Sequence, residues 1–436
     1  MTLFVSTAFA LLFGMLFTRV TKIFKLPDVT AYLVSGLLIG PYFLGRLGVE
    51  GVGFTSFEIL ENLKFISDAA LGFIAFAIGN EFRLSSLKST GKQAVIIGIL
   101  QAIVTTIVVD ICLFLLHLAM PDKLSIPAVI TLGAIATATA PAATLMVVKQ
   151  YKAKGKVTDL LLPVVALDDA VGLAVFAVSF GIARAVAGGE VSMASIIFEP
   201  IIEIVASLLL GGVLGLLLAL IEKVFNSNRK RLSIIVAFIL ATVGLSMLSF
   251  EVGGIHIGFS SLLVCMMLGT VFCNRSILSE DLMDKSDRWA APLLALFFIL
   301  SGAELELSVF SNIAVVIVGV VYILSRCVGK YFGAYFSCII SKTDETVRKY
   351  LGITLFPQAG VALGMCVTAM TLGEDGIIVR NIILFGVLIY ELFGPMFTKM
   401  ALTKSGDIVP PSDEVINRRA NAIAKKKAAQ SAHQHK

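Results

Sequence analysis

A pair of adjacent carboxylates lies in the stretch Ala166-Leu167-Asp168-Asp169-Ala170-Val171-Gly172, within a long apolar segment. A charged side chain at the centre of a bilayer costs about 2.5–3.5 kcal/mol on insertion scales, so such residues are functional by default. Adjacent residues of a helix point about 100° apart, so Asp168 and Asp169 are expected to face different neighbours. The pair therefore predicts an ion or proton site inside a membrane protein.

The composition indicates a membrane protein along the whole chain. Hydrophobic residues make up 57% of the 436 positions and charged residues 15%, whereas soluble domains are about a quarter charged. Apolar runs long enough to cross a bilayer recur from one end to the other. We predict an all-α polytopic protein with thirteen transmembrane helices. The predicted spans are residues 2–21, 27–45, 58–80, 93–118, 125–148, 157–183, 194–222, 231–249, 254–272, 289–305, 310–338, 348–372 and 377–402.

Basic residues are distributed unevenly between the two sides of these spans. Loops after odd-numbered spans and the C-terminal tail contain most of the 35 Lys and Arg residues. The opposite loops contain only Arg46, Lys64, Lys123, Arg184 and Arg380. Since basic loops remain in the cytoplasm, we predict a multi-pass protein of a bacterial or archaeal inner membrane, with its N-terminus outside and its C-terminus in the cytoplasm. Residues 1–404 form the transmembrane domain, and residues 405–436 form a basic cytoplasmic tail.

Two spans contain helix-breaking sequence near their centres. The fifth span carries Thr139-Ala140-Pro141, and the twelfth carries Pro357-Gln358-Ala359-Gly360. Proline removes a backbone donor and frees a carbonyl oxygen, so we predict breaks at Pro141 and at Pro357 with Gly360. Two interrupted spans of opposite direction indicate inverted repeats whose broken helices cross at a midplane ion site. For either span alone, an ordinary proline kink is the alternative.

A basic residue in the eleventh span needs an acidic partner. Arg326 lies about fifteen residues into that span, at the depth of Asp168 and Asp169. We predict that Arg326 pairs with Asp168, which leaves Asp169 as the ion-facing group. A purely structural ion pair is the alternative, although it accounts for one aspartate only. Lys330 is predicted either to line an inner funnel or to extend its ammonium group to the membrane interface.

Desolvation determines the chemistry of the predicted site. Burial favours the uncharged form of a carboxyl group, and a neighbouring carboxylate strengthens that preference. Asp169, with Asp168 beside it, is therefore predicted to hold either a proton or a metal cation such as Na⁺. Oxygen atoms of Thr137, of Thr139 and of the backbone near Pro141 are the predicted additional ligands. Competition between proton and cation predicts exchange without a cofactor and without enzymatic activity.

Six sequence motifs follow one another along the chain in an order that is typical of a known family. They are residues 26–41, residues 75–81, Thr139-Ala140-Pro141, Asp168-Asp169, Ser325-Arg326-Cys327-Val328-Gly329 and Pro357-Gln358-Ala359-Gly360-Val361-Ala362-Leu363-Gly364. Together they resemble the monovalent cation:proton antiporter superfamily, in particular the bacterial Na⁺/H⁺ antiporters of its NapA-like and Kef-like branch. The resemblance covers essentially the whole membrane region.

The resemblance implies a fold like that of the NhaA and NapA antiporters. It implies a core domain at about residues 58–183 and 289–402, and a dimerisation domain at about residues 2–45 and 194–272. It further implies a homodimer with elevator-like movement that exchanges Na⁺ or Li⁺ for H⁺. Paired aspartates imply electrogenic exchange. Two residues depart from the family pattern, since Arg326 stands where several members have Lys and Gln358 stands where some have a positive residue.

Other functions have weaker support in the sequence. K⁺/H⁺ antiport on the same scaffold is the first alternative. A channel would need a carbonyl-lined filter, and no such sequence is visible. An intramembrane aspartyl protease needs two aspartates on separate helices, whereas Asp168 and Asp169 are adjacent. The expected partners are membrane lipids, monovalent cations, protons and a second copy of the chain, but not nucleic acid, because the basic residues are spread through the loops.

Acidic residues elsewhere in the spans are weaker site candidates. Asp68 and Glu391 are interpreted as helix-packing or interface residues. Glu304 and Glu306 are predicted at the outer mouth, where they either attract cations or belong to a solvated loop. The six cysteines lack the spacing of a metal site, so they are interpreted as small apolar packing residues.

Overall fold

The computed structural model describes residues 2–409 except 25, 50, 188–192, 253–254, 306 and 308–310. Within these residues the chain forms sixteen α-helices and one two-stranded antiparallel sheet. The helices are α1 (Thr2–Ile23), α2 (Asp28–Ile39), α3 (Phe57–Glu61), α4 (Lys64–Gly79), α5 (Leu84–Ala119), α6 (Ile126–Ile135), α7 (Pro141–Tyr151), α8 (Lys156–Val186), α9 (Met193–Ile221), α10 (Asn228–Ser246), α11 (Ser261–Arg275), α12 (Ser279–Ala303), α13 (Ile313–Ile340), α14 (Glu345–Thr354), α15 (Gly360–Ala369) and α16 (Glu374–Lys404). Strands β1 (Phe250–Val252) and β2 (Ile255–Ile257) pair with Phe250 opposite Ile257. Glu306 and residues 410–436 of the predicted tail lie outside the described residues.

Helical structure suits a chain of this composition in lipid, because a helix satisfies its own backbone polar groups. Within the described residues, seven helical stretches are long and apolar enough to cross a membrane. They are Leu3–Ile23, Asp28–Leu47, Gly91–Ala119, Lys156–Val186, Ile201–Val224, Ile313–Ile340 and Glu374–Lys404. Each predicted span overlaps at least one observed helix, and the all-α membrane fold is confirmed. The number of thirteen crossings and the inverted repetition stay predictions.

Both predicted breaks are present, and they touch each other. One break, residues 136–140, separates α6 from α7, and the other, residues 355–359, separates α14 from α15. Pro141 is the first residue of α7, where its missing N–H would have no intrahelical partner in any case. The backbone N–H of Ala140 donates to the carbonyl oxygen of Pro357 at 2.8 Å. The two broken helices are therefore in direct contact at their breaks, and this point of contact is called the crossing below.

The helices pack into two groups that share a larger core. One hydrophobic cluster joins α5, α6, α8, α13, α15 and α16. A second cluster joins α4, α9, α10, α11 and α12, and the largest cluster lies between the two groups. Helices α4 and α12 pack mainly against α2, α10 and α11. The boundary between the two groups therefore runs between α4 and α12 on one side and α7, α8 and α16 on the other.

Close backbone contact joins α2 to α12. A Cβ atom on Gly36 would collide with the carbonyl oxygen of Ile299, and one on Gly302 would collide with that of Leu33. Small residues permit such an approach between helices in a membrane, where van der Waals contact replaces the hydrophobic effect as the driving force. These two glycines fix the spacing of α2 and α12.

Candidate ion-binding site

Asp168 and Asp169 lie on α8 beside the first break, and they have different surroundings. Both are buried, with exposed fractions of 0% and 2%. One Asp168 oxygen accepts hydrogen bonds from Thr139 Oγ1 at 2.6 Å and from Lys330 Nζ at 2.8 Å. The other accepts from the side-chain amide of Gln101. Both carboxyl oxygens of Asp169 are buried without a hydrogen-bond partner among the described residues. The carboxyl group of Asp169 is thus available to an ion or a proton.

The ion-pair partner of Asp168 is Lys330. The two side chains are completely buried, with Nζ and Oδ2 2.8 Å apart, and Lys330 also donates to the carbonyl oxygen of Thr137 at 2.6 Å. The prediction that Arg326 pairs with Asp168 is therefore wrong. Lys330 neither lines an open funnel nor reaches the membrane interface. Residues four apart on a helix share a face, so Arg326 and Lys330 both face the crossing. Their depth in the membrane therefore does not show which of the two pairs with Asp168.

Arg326 stabilises the crossing itself. Its Nε and Nη2 atoms donate to the carbonyl oxygens of Ala136 and Ala138, at 2.9 and 2.5 Å. Its Nη1 atom donates to the carbonyl oxygen of Phe356 at 2.7 Å, and its guanidinium carbon lies 4.6 Å from the ring centre of Tyr390. The C-terminal end of a helix carries free carbonyl groups and partial negative charge. The planar guanidinium donors therefore neutralise the ends of α6 and α14 at the same time.

Gln358 completes the contact between the two breaks. Its Nε2 atom donates to the carbonyl oxygen of Ile135 at 3.0 Å, and its Oε1 atom accepts from the hydroxyl group of Tyr322 at 3.1 Å. The side chain is fully buried. A neutral amide satisfies both partners without placing a third positive charge beside Arg326 and Lys330.

The two predicted threonines lie at the first break. Thr139 is bonded to Asp168, while the hydroxyl group of Thr137 donates to the carbonyl oxygen of Ala134 at 2.7 Å. Gly172, one turn after Asp169, lets the break approach α8, since a Cβ atom there would lie 2.9 Å from Thr137 Oγ1. The structure thus brings Thr137, Thr139 and both aspartates together. Their roles as cation ligands stay predictions.

A cavity of about 620 Å³ opens at the C-terminal end of α7. Its wall includes the ion pair of Lys149 on α7 with Asp287 on α12, whose Nζ and Oδ2 atoms are 2.5 Å apart. A much smaller cavity on the other side of this pair extends between α4, α7 and α12 as far as Ala142. The ion pair therefore lines both the open cavity and the narrow gap that extends to Ala142.

The transmembrane region matches a family model over nearly its whole length. Residues 7–403 match the model described as sodium/hydrogen exchanger, transmembrane. The chain belongs to the sodium/hydrogen exchanger family. This finding confirms the resemblance to monovalent cation:proton antiporters that the motifs indicated.

Two curated proteins are similar in sequence to this exchanger-family chain. The chain is 25% identical over 353 residues to the Na⁺/H⁺ antiporter NhaS4 of Synechocystis sp., covering 79% of this chain and 82% of that protein. It is 22% identical over 394 residues to the Na⁺/H⁺ antiporter of Enterococcus hirae, covering 88% and 94%.

A protein of known structure has a similar fold. The sodium proton antiporter MjNhaP1 from Methanocaldococcus jannaschii aligns with a TM-score of 0.66 at 20% identity, covering 93% of this chain and 99% of that chain. The similarity shows the fold of the membrane domain.

Gln101 is a site residue of this exchanger-family chain that sequence reasoning missed. It lies within the 36-residue helix α5, is fully buried, and donates to Asp168. A lone amide in an apolar helix does not identify its partner. The available signal was its polarity, since polar side chains inside membrane spans are costly and commonly functional.

Proposed function

We propose that this chain is a secondary antiporter that exchanges Na⁺ for H⁺ across the membrane. The observation that carries this proposal is Asp169, a buried carboxyl group beside two broken helices, which has no hydrogen-bond partner in the part of the chain that the structure describes. Burial favours the protonated form, and a small cation replaces the proton when its charge is matched by oxygen ligands. Membership of the exchanger family and the names of the relatives support the same conclusion.

Asp168 and Lys330 provide the second part of the proposed mechanism. A cation at Asp169 would attract the carboxylate of Asp168 and weaken its contact with the Lys330 ammonium group. Oxygen atoms of Thr137 and Thr139 are the proposed further ligands. In the proposed cycle the protonated Asp169 releases one proton when the cation binds. The Lys330 ammonium group releases a second proton once its contact with Asp168 has weakened, so two protons leave for each cation of single charge. We therefore propose electrogenic exchange.

We also propose an elevator-type movement between the two packing groups. Helices α5–α8 and α13–α16 would form the moving core, and α1–α4 with α9–α12 would form the scaffold and the homodimer contact. This division moves residues 58–80 and 289–305 from the predicted core to the scaffold, because α4 and α12 pack against α2, α10 and α11. We propose that the N-terminus lies outside and the C-terminus in the cytoplasm, as the basic residues indicate.

Ion exchange in proteoliposomes tests this function. Liposomes with an imposed pH gradient would receive Na⁺, Li⁺ or K⁺ in parallel, with and without a membrane potential. Na⁺ and Li⁺ are expected to dissipate the gradient, at a rate that depends on the potential. Dissipation by K⁺ alone would replace the proposal with K⁺/H⁺ antiport on the same scaffold.

The variant Asp169→Asn tests the residue that carries the proposal. The substitution keeps the shape of the side chain and removes its charge, so we expect a folded protein that shows no exchange with any of the three cations. Asp122→Asn, at an exposed position between α5 and α6, is the matched control and should keep normal exchange. Wild-type rates in Asp169→Asn would refute the assignment.

A further inference from the structure

Glu391 is a buried carboxyl group that the site around Asp169 does not use. It lies on α16 with 7% of its surface exposed. No hydrogen bond or ion pair of its side chain is found among the described residues. An unpaired carboxyl group inside a membrane protein is costly, so its presence indicates a function.

Another buried carboxylate of the same chain has the partners of a structural residue. Glu222, with 3% of its surface exposed, pairs with Arg231 at 2.9 Å and accepts a hydrogen bond from Ser276 at 3.2 Å. Glu391 has no comparable donor within the described ranges. Packing and stability therefore explain Glu222 but do not explain Glu391.

Two further carboxyl groups connect Glu391 with the surface. Glu304, at the C-terminal end of α12, is exposed, and Asp68 on α4 is partly buried. Glu391 lies close enough to Glu304 to interact with it electrostatically, and Glu304 does the same with Asp68 and Lys64. Glu304 therefore lies between Asp68 and Glu391, and Glu391 is the most deeply buried of the three.

Glu391 also lies close to the crossing. Gly394, three residues further along α16, packs directly on the second break, since a Cβ atom there would lie 3.0 Å from Pro357 Cγ. Three residues correspond to about one helical turn. Helix α12 runs from Asp287 at the open cavity to its C-terminal end at Glu304. The three carboxyl groups therefore lie on the side of the crossing that faces away from the open cavity.

We propose that Glu391 is a further cation-binding residue of the transport path, reached by monovalent cations after Asp68 and Glu304 and before Asp169. This inference rests on the proposed antiport function. No three acidic residues among the described residues lie close enough to hold one ion together. The three carboxyl groups therefore bind the cation in succession, and each raises its local concentration for the next.

Transport by Glu391→Gln tests the inference. Na⁺-dependent exchange would be measured in right-side-out and inside-out membrane vesicles, so that Na⁺ is presented to each face in turn. We expect the apparent KM for Na⁺ presented at the Glu304 face to rise about tenfold, because the local Na⁺ concentration falls. The maximal rate and the KM at the opposite face should stay unchanged. Glu374→Gln, at an exposed position in the first turn of α16, is the matched control and should keep the wild-type KM at both faces.

The alternative outcomes separate this inference from the proposed function. If the wild type shows no Na⁺/H⁺ exchange, the proposed function fails and the inference fails with it. If the wild type exchanges and Glu391→Gln keeps the wild-type KM at the Glu304 face, the inference alone is overturned. If Glu391→Gln does not fold, Glu304→Gln, at an exposed position, decides in its place. A raised KM at that face supports the inference, and an unchanged KM overturns it.

Discussion

At the residue scale, Asp168 and Lys330 each compensate the buried charge of the other. Lys330→Met leaves the Asp168 carboxylate buried with only neutral donors, Thr139 and Gln101. Removing one partner of a buried ion pair costs about 3–5 kcal/mol. We therefore expect a clearly lower unfolding temperature for purified Lys330→Met in detergent than for the wild type.

A double variant provides the control for this prediction. Asp168→Asn combined with Lys330→Met removes both charges, so most of the lost stability should return. Equal unfolding temperatures for the single and double variants would show that the unpaired charge of Asp168 does not cause the loss of stability in Lys330→Met. Exchange should be impaired in both variants, because both lack the carboxylate–ammonium pair.

The residues of the site show where sequence reasoning succeeds and where it stops. Asp168 and Asp169 are identifiable because adjacent charges in an apolar helix have few explanations. The partner of Asp168 is not identifiable from the sequence, because Arg326 and Lys330 lie one turn apart on the same face of α13. A guanidinium group can be satisfied by free carbonyl groups as well as by a carboxylate. Those carbonyl groups become visible only when the geometry of both breaks is known.

At the element scale, the contact between α2 and α12 predicts a sharp response to one methyl group. Gly302→Ala places a Cβ atom against the carbonyl oxygen of Leu33, so the helices must separate. Overpacking of this kind costs about 1–3 kcal/mol. We expect a lower unfolding temperature and a lower yield of folded protein in size-exclusion chromatography.

Gly244→Ala on α10 is the matched control. A Cβ atom there meets no atom within 4 Å, and replacing a helical glycine by alanine contributes about 0.5–1 kcal/mol of stability. The two variants should therefore shift the unfolding temperature in opposite directions. Equal shifts would mean that helix propensity, and not the contact of α2 with α12, controls the response.

The ion pair of Lys149 with Asp287 joins the proposed moving core to the proposed scaffold. Each side chain is about one-third exposed, so the pair contributes no more than about 1 kcal/mol, equivalent to about fivefold in a conformational equilibrium. Lys149→Asp should change the exchange rate by up to that factor, because it replaces attraction between α7 and α12 with repulsion. Adding Asp287→Lys should restore the wild-type rate in proteoliposomes.

A second ion pair tests whether the position of the first one matters. Lys285 and Asp281 are also 2.5 Å apart, but both belong to α12. Charge reversal at Lys285 should leave exchange unchanged, because no movement between helices breaks that pair. A change as large as that of Lys149→Asp would indicate a general effect of surface charge.

The broken helices were predictable as elements but not as a contact. Proline with small neighbours predicts each break by removing a backbone donor. The hydrogen bond from Ala140 to Pro357 depends on how two distant segments meet, and neither segment encodes it alone. Sequence reasoning therefore located both breaks and inferred their proximity only from the general pattern of inverted repeats.

At the scale of the whole molecule, hydropathy predicts spans better than it predicts neighbours. Apolar length identifies a helix that enters a membrane, but lipid-facing and protein-facing apolar residues look alike in sequence. The family resemblance placed residues 58–80 and 289–305 in the core, and hydropathy could not test that division. In the structure, α4 and α12 pack on α2, α10 and α11. The close contacts at Gly36 and Gly302 determine part of this arrangement, and they depend on backbone geometry.

The crossing has a consequence for the biosynthesis of the protein. The carbonyl oxygen of Ala136 is satisfied by Arg326, which lies 190 residues later in the chain. At about 5–20 residues per second, roughly 10–40 s of translation separate the two. During that interval the broken α6–α7 segment is present without the donor that completes it. Nascent chains that stop before α13 would therefore carry an unsatisfied polar backbone inside the bilayer, which makes them targets for membrane quality control.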